Sequence, residues 1–270
     1  MTVELTQRFR KLHQNGCFVI PNPWDELSAR LLASCGFQAL ASTSSGYAAS
    51  LGRKDGAGLV SRGEALRHAA RLSEVSGLPV TVDAEDGYGR TPKEVAQTVA
   101  MAASLHLAGI SIEDSDPTAP NGFRSFDDAA DRIDAAVNEA RRHGLVLTAR
   151  ADGNGIAYDF NEVLRRLKRF AELGADVVYA PRLENIEQLQ TICRAVDKPV
   201  NHVVGFGIKG LSFNQIAEAG ARRISLGGSF TRAALAEITR LGEAAASGDL
   251  EPFERAPDWS RIFSSEASNK

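Results

Sequence analysis

Eight short apolar runs alternate along this chain with amphipathic helical patterns, and this alternation restricts the fold more than any other feature. The runs are rich in β-branched residues and lie near residues 17–20, 38–42, 79–83, 109–113, 145–150, 176–179, 199–204 and 222–226. Helical patterns cover about 61–76, 92–107, 126–143, 160–173, 185–196, 213–219 and 229–246. Strict alternation predicts a parallel sheet, and eight repeats favour a closed (β/α)8 barrel of the TIM type over an open doubly wound sheet.

The chain reads as one domain with a short tail. Two predicted helices begin at capping boxes, formed by Ser61 with Glu64 and by Thr91 with Glu94. No low-complexity linker divides the 270 residues, a usual length for a one-domain α/β barrel. We therefore assign residues 1–246 to a barrel catalytic domain. The C-terminal tail, 247–270, is expected to pack on the barrel or on a neighbouring subunit, through Phe253, Trp259 and Phe263.

Composition excludes several classes of function. The net charge is -3 and the pI about 6.0, so there is no basic field to attract nucleic acid or an anionic membrane. The three cysteines, Cys17, Cys35 and Cys193, have neither zinc-ligand spacing nor redox-pair spacing. Residues 1–16 lack the apolar core of a signal peptide, and no run approaches the roughly 18 apolar residues of a membrane span. We expect a cytoplasmic protein.

Polar side chains are concentrated just after the predicted strands, where a barrel places its active site. Asp83 and Glu85 follow the third strand, within Val80–Gly89. The fourth and fifth strands end in Glu113-Asp114 and in Arg150 with Asp152. These carboxylates outnumber Arg150, so a hard cation with oxygen ligands is expected among them. Mg²⁺ fits best and Mn²⁺ could substitute for it, whereas the lack of cysteine and clustered histidine ligands disfavours zinc.

Two further strand ends supply candidate ligand groups. The second strand runs into the hydroxyls of Ser42, Thr43, Ser44 and Ser45, which could hold a small carboxylate with their backbone N–H groups. Asn201 and His202 lie in or after the seventh strand, and we expect both to bind substrate. The other histidines, His13, His68, His106 and His143, fall on helical patterns and are expected to be surface or packing residues.

A glycine-rich segment leaves a phosphate ligand open. Residues 205–210 match G-x-G-x-x-G by letter, but no acidic residue follows at the spacing of a dinucleotide site. The segment does follow the seventh strand, and Gly227-Gly228 follows the eighth. Many barrels bind phosphate at these two places.

Four ordered motifs resemble the isocitrate lyase and phosphoenolpyruvate mutase superfamily. The resemblance extends from Phe18 to about Ala246. Its motifs are Ala49-Ser50-Leu51-Gly52-Arg53-Lys54-Asp55, Asp83-Ala84-Glu85-Asp86-Gly87-Tyr88-Gly89, Ile112-Glu113-Asp114 and Thr148-Ala149-Arg150-Ala151-Asp152. The resemblance implies a barrel whose last helix is exchanged between subunits, in a homotetramer or homodimer.

The resemblance also implies roles for particular residues. Asp83 would bind Mg²⁺ directly, and Glu85, Asp55 and Glu113 would hold waters on the metal. Arg150 would contact the substrate carboxylate or its developing oxyanion, and the Ser42–Ser45 segment would hold the 2-oxo acid end. The chemistry implied is cleavage or formation of a C–C or P–C bond through a metal-stabilised enolpyruvate.

Three departures from the family pattern narrow the activity. Glu85 stands where the family usually has Asp. The loop after the fourth strand, 115–123, lacks the Lys-Lys-Cys-Gly-His sequence of the isocitrate and methylisocitrate lyases, so these two activities are not expected. The sixth strand ends in Tyr179-Ala180-Pro181-Arg182, where lyases of the family commonly place a glutamate.

Three hypotheses follow. The first is a Mg²⁺-dependent lyase for a small 2-oxo acid, similar to an oxaloacetate decarboxylase. The second is P–C bond chemistry on phosphonopyruvate, as a mutase or a hydrolase. The third is a non-catalytic binder of 2-oxo acids or phosphate, suggested by Glu85 and by the missing sixth-strand glutamate.

Overall fold

The eight predicted strands form one parallel sheet that closes almost completely into a barrel. The computed structural model describes residues 2–153 and 155–255. The strands are β1 (Phe18–Ile20), β2 (Leu40–Ala41), β3 (Val80–Asp83), β4 (Gly109–Glu113), β5 (Val146–Arg150), β6 (Val177–Tyr179), β7 (Val200–Val203) and β8 (Arg223–Ser225). Their order is β1-β8-β7-β6-β5-β4-β3-β2, and Ala41 N donates to Pro21 O at 3.0 Å where β2 meets the end of β1. The predicted (β/α)8 barrel is confirmed.

Helices surround the strands, and most of them agree with the sequence patterns. They are α1 (Thr2–Leu12), α2 (Glu26–Ser34), α3 (Ser44–Ser50), α4 (Arg62–Ser76), α5 (Pro92–Ser104), α6 (Phe126–His143), α7 (Phe160–Leu173), α8 (Ile186–Ala195), α9 (Phe213–Glu218) and α10 (Ser229–Ala246), followed by a 3-10 helix, Glu251–Arg255. The capping boxes at Ser61 and Thr91 are both formed. One correction concerns His106, which follows the end of α5 with a left-handed φ of 62° rather than lying in the helix.

The first three helices, α1 to α3, were not predicted, and local sequence explains this for α2 and α3. The α2 capping box pairs Asp25 with Ser28, whereas the sequence signature expects Glu or Gln at that place. Helix α3 has only seven residues and is rich in serine and glycine, which favour turns. Helix α1 contributes Phe9 to a cluster at the amino ends of the strands, with Ile20, Val146 and Val177. This cluster leaves the carboxyl ends of the strands for the site.

The last helix leaves most of its surface exposed. Of the residues of α10 only Thr231 is buried, while Leu235 and Ile238 are 50% and 64% exposed. The 3-10 helix after it packs against α10. The predicted contacts of Trp259 and Phe263 fall in 256–270, outside the described residues. None of the helices in the described ranges has the length and apolar character needed to cross a membrane.

Candidate active site

A pocket of about 260 Å³ opens at the carboxyl ends of the strands. It gathers most of the site residues that the sequence predicts, namely Ser42, Thr43, Ser44, Ser45, Asp55, Asp83, Glu85, Glu113, Arg150 and Asn201. It also contains residues that were not predicted as ligands, including Asp152, Tyr179, Arg182, Arg223 and Ser225. The predicted convergence on one rim is therefore present in the fold.

Arg150, the last residue of β5, lies at the centre of the carboxylates. Its Nη1 is 2.9 Å from Asp83 Oδ1, and its Nη2 is 2.9 Å from Glu113 Oε2. Asp152 receives Nε at 3.2 Å and Nη2 at 2.9 Å. Strand register produces this arrangement, because Glu113 on β4 is paired directly with Arg150. One guanidinium thus holds three carboxylates in place.

The Ser42–Ser45 segment orients Asp83. Ser42 Oγ accepts the backbone N–H of Asp83 at 2.9 Å, and Ser44 N–H donates to Asp83 Oδ2 at 3.2 Å. Thr43 caps α3, its Oγ1 accepting Gly46 N–H at 3.3 Å. These groups were predicted to hold a substrate carboxylate. In the structure Ser42 and Ser44 hydrogen-bond Asp83, and the Ser44 side chain also hydrogen-bonds Asp55.

Glu85 lies in an uncommon backbone conformation beside the metal candidates. Its φ is 45° and that of Tyr88 is 51°, a left-handed geometry that costs energy for residues with a side chain. Tyr88 OH donates to Glu85 Oε1 at 2.7 Å. Asp86, in the same turn, instead accepts Arg124 Nη2 at 2.8 Å. The turn therefore sends Glu85 into the pocket and Asp86 into a structural ion pair.

The carboxylates carry more negative charge than Arg150 balances. Burial, with added repulsion from Asp83, raises the pKa of Glu85 to about 7. Burial also raises the pKa of Glu113 to about 8, against the opposing effect of Arg150. The pKa of Asp55 is raised by burial and then by Asp83. Asp83 is the common neighbour of all three groups.

These donors fit a hard divalent cation bound through few direct ligands. The acidic groups around Asp83 offer oxygen atoms only, and a cation beside Asp83 would relieve the repulsion that raises their pKa values. Within the described ranges, no three His, Cys, Asp or Glu side chains converge closely enough to bind an ion together. Mg²⁺ commonly retains several waters and needs only one or two carboxylates.

The opposite wall, from β6 to β8, is cationic and polar. Arg223 Nε donates to Asn201 Oδ1 at 2.8 Å, and Asn201 Nδ2 donates to Ser225 Oγ at 2.9 Å. Arg223 Nη2 also donates to Thr148 Oγ1 at 3.0 Å. No carboxylate of the described residues pairs with Arg223, and burial lowers its pKa to about 10. The sequence signal for this wall was the alternation of side chains along a strand, which places alternate residues on the same face as Asn201.

His202 does not face the pocket, which corrects its prediction as a substrate ligand. Successive side chains of a strand point to opposite faces, so Asn201 points inward and His202 outward. His202 lines a separate cavity of about 170 Å³ with residues of the 205–210 segment and with Ile216. Burial lowers the pKa of His202 to about 4. The predicted ligand role thus fails on orientation.

Asp114 supports the site from behind. It is 2% exposed and accepts Asp152 N–H at 2.9 Å on Oδ1. Its Oδ2 accepts Tyr158 OH at 2.5 Å and Arg166 Nη1 at 2.8 Å. Asp114 therefore holds the residue that in turn holds Arg150, and its own carboxylate is turned away from the pocket.

Comparison with known proteins agrees with this architecture. The family model described as phosphoenolpyruvate phosphomutase matches residues 9–246. An uncharacterized protein of Mycobacterium tuberculosis is 31% identical over 247 residues, covering 90% of this chain and 91% of its own. A candidate lyase/mutase from Burkholderia cenocepacia J2315 superposes with a TM-score of 0.92 at 38% identity, covering 97% and 95% of the two chains. Oxaloacetate acetylhydrolase in complex with oxalate superposes with a TM-score of 0.85 at 27% identity, covering 96% and 92%.

Proposed function

The chain belongs to the isocitrate lyase and phosphoenolpyruvate mutase superfamily, whose members are lyases and mutases, and we propose that it is a Mg²⁺-dependent lyase. It cleaves a C–C bond adjacent to a small 2-oxo acid through an enolpyruvate, as an oxaloacetate decarboxylase does. The proposal rests on the position of the Arg150 guanidinium, which is held by Asp83, Glu113 and Asp152 at the strand ends. A fixed cation beside oxygen ligands for a metal supplies positive charge where an enolate oxygen would develop.

Each group has a role in the proposed reaction. Asp83 would hold the metal directly, with Glu85, Asp55 and Glu113 around it, and bound Mg²⁺ or Mn²⁺ would supply positive charge beside the enolate oxygen. Arg150 binds the substrate carboxylate or the developing oxyanion. The Ser42–Ser45 segment orients Asp83 and positions the 2-oxo acid end, and Asn201 contacts the substrate from the opposite wall.

P–C bond chemistry on phosphonopyruvate is the second candidate. Gly227 and Gly228, which follow β8, line the pocket together with Arg182, and a cation beside this glycine pair suits a phosphonate, although Gly227 N–H already donates to Asn22 Oδ1 at 2.8 Å. The loop 115–123 contains no lysine, which weakens this candidate. A non-catalytic binder remains the third outcome of the test below.

A substrate panel with and without Mg²⁺ separates these functions. We expect turnover of a 2-oxo dicarboxylic acid that stops when the metal is chelated. Oxalate should inhibit far more strongly than acetate, because it resembles the enolate and sites complementary to a reacting species bind its analogues tightly. Equal inhibition by oxalate and acetate contradicts the enolate mechanism. Turnover of phosphonopyruvate alone favours the second candidate, and oxalate binding without any turnover favours the binder.

The metal assignment is tested on Asp83. Asp83→Ala should abolish Mg²⁺-dependent turnover and weaken oxalate binding in the presence of Mg²⁺ by more than about 100-fold, since it removes a direct oxygen ligand. Asp127→Asn is the control, because Asp127 is an exposed acid in the first turn of α6. Calorimetry with Mg²⁺ and oxalate provides the measurement. Unchanged binding in the Asp83 variant refutes the metal role.

We further propose that the protein is a homotetramer or homodimer in which α10 packs on a neighbouring copy. The exposed Leu235 and Ile238 on a helix with one buried residue support this arrangement. Light scattering should show an oligomer that Ile238→Lys weakens. A monomeric wild type contradicts the proposal.

A further inference from the structure

The proposed reaction leaves an enolate carbon that must receive a proton. Loop 115–123 offers no cysteine, lysine or histidine as an acid. Glu113 is engaged at both oxygens, with Oε2 held by Arg150 at 2.9 Å and Oε1 accepting Ser115 Oγ at 2.7 Å. Glu85 Oε1 already accepts Tyr88 OH, and the proposed function places both Glu85 and Asp55 around the metal. The pocket therefore needs another group that is protonated at neutral pH and whose proton is not already donated.

Tyr179 meets both requirements by its place in the barrel. It is the last residue of β6, paired in register with Arg150 on β5 and with Asn201 on β7. Its ring lies 5.1 Å from Arg150 Cζ, and it lines the pocket. Within 2–153 and 155–255, no hydrogen-bond partner is present for its hydroxyl. The O–H is thus available to a bound molecule.

The surroundings of Tyr179 suit a proton donor that must be regenerated. Burial raises its pKa, which keeps the phenol protonated at neutral pH. Asp152 and Asp83 also raise this pKa, whereas Arg150 and Arg223 lower it and supply the positive charge that a phenolate needs once the proton has left. Arg223 has no carboxylate partner among the described residues, so its charge is free to act on the pocket.

We propose that Tyr179 is the acid that protonates the enolate carbon, an inference that rests on the proposed lyase function. The O–H bond of Tyr179 breaks and a C–H bond forms from the electron pair of the enolate C=C bond. The enolate oxygen returns to a carbonyl, so a 2-oxo acid is the product. The phenolate, held beside Arg150 and Arg223, takes a proton from water and is restored.

Tyr179→Phe tests this role, because it removes the hydroxyl and keeps the ring beside Arg150. On the acid that the wild type cleaves, formation of the protonated product should fall by about 100-fold to 10,000-fold, the usual contribution of a positioned acid. The oxalate dissociation constant in Mg²⁺ should be unchanged. Where cleavage persists, the cleaved fragment should appear before the 2-oxo acid, because released enolpyruvate must become the keto acid in solution.

Tyr47→Phe is the matched control. The centroids of the Tyr47 and His68 rings are 3.8 Å apart, and Tyr47 does not line the 260 Å³ pocket. Removal of the Tyr47 hydroxyl should therefore leave turnover unchanged. A Tyr179 variant with wild-type turnover and no delay refutes the inference, and so does one that also loses oxalate binding, which indicates a structural role. A wild type that neither turns over any acid nor binds oxalate with Mg²⁺ instead refutes the proposed function and the inference with it.

Discussion

Replacement of Asp114 by Asn should destabilise the barrel and disturb the site together. The Asp114 side chain is 1% exposed and pairs with Arg166, which is 5% exposed. Asn keeps the size but removes the negative charge and replaces one acceptor oxygen by an amide donor. Oδ1 accepts the Asp152 N–H, and Oδ2 accepts both Tyr158 OH and Arg166. An amide nitrogen at either position therefore leaves at least one of these three donors unsatisfied.

The expected loss in the free energy of unfolding follows from the burial of the Asp114–Arg166 pair. Removing one partner of a buried ion pair costs about 3–5 kcal/mol, because the remaining charge stays desolvated. Burial raises the pKa of Asp114, so part of the native interaction is offset by desolvation, and about 3 kcal/mol is the expected decrease in the free energy of unfolding. Glu162→Gln offers a matched control on the same arginine. Glu162 is 23% exposed and accepts Arg166 Nε at 2.9 Å, so its loss should cost about 1 kcal/mol or less.

Urea unfolding of the two variants provides the measurement, with calorimetry of oxalate binding in Mg²⁺ as the functional readout. Asp114→Asn should also weaken oxalate binding, because Asp114 fixes the Asp152 backbone and Asp152 holds Arg150. Glu162→Gln should leave oxalate binding unchanged. Equal losses of stability in the two variants would refute the argument from burial. Unchanged oxalate affinity in Asp114→Asn would refute the coupling to Arg150.

Two further predictions concern Glu85 and His13. Glu85→Asp should retain substantial activity. Glu85→Gln should weaken Mg²⁺ binding by about 10-fold to 100-fold, as loss of an outer-shell partner of a metal does. Equal Mg²⁺ titrations of Glu85→Gln and the wild type would exclude a metal role for Glu85. His13 is buried against Arg223, and burial lowers its pKa to about 3, so unfolding takes up a proton below the unfolded pKa of 6.5 and stability falls as the pH drops towards 3. Between pH 8 and 5.5 the wild type should lose about 1.4 kcal/mol more than His13→Gln in urea unfolding, and parallel pH profiles would contradict this.

The barrel could be predicted because its signal is periodic and local. The helices over 126–143 and 160–173 have the predicted bounds, since each begins after a polar cap and ends at a left-handed glycine, Gly144 or Gly174. Asp83 and Arg150 could be placed on one rim because parallel strands end at the same edge of the barrel. Family motifs then gave the same residues their expected roles.

Orientation and long-range pairing could not be predicted in the same way. Asn201 and His202 are adjacent, and only the register of β7 decides which of them points into the pocket. Asp114 and Arg166 are 52 residues apart, and no local pattern links them. Arg223 lies inside the barrel, where strand composition predicts an apolar residue, and it has no carboxylate partner in the part of the chain that the structure describes. Such contacts depend on side-chain direction and on packing between distant elements.

Without a bound cation, the acidic half of the pocket lowers the stability of the folded protein. Burial and mutual repulsion raise the pKa values of Glu85 and Glu113 well above those of free carboxyl groups. Left-handed backbone at Glu85 adds a further local cost. Functional sites commonly conflict with local stability in this way, and the closely packed strands and helices beneath them hold the groups in place. A bound cation would remove much of this conflict, so metal binding should stabilise the fold as well as complete the site.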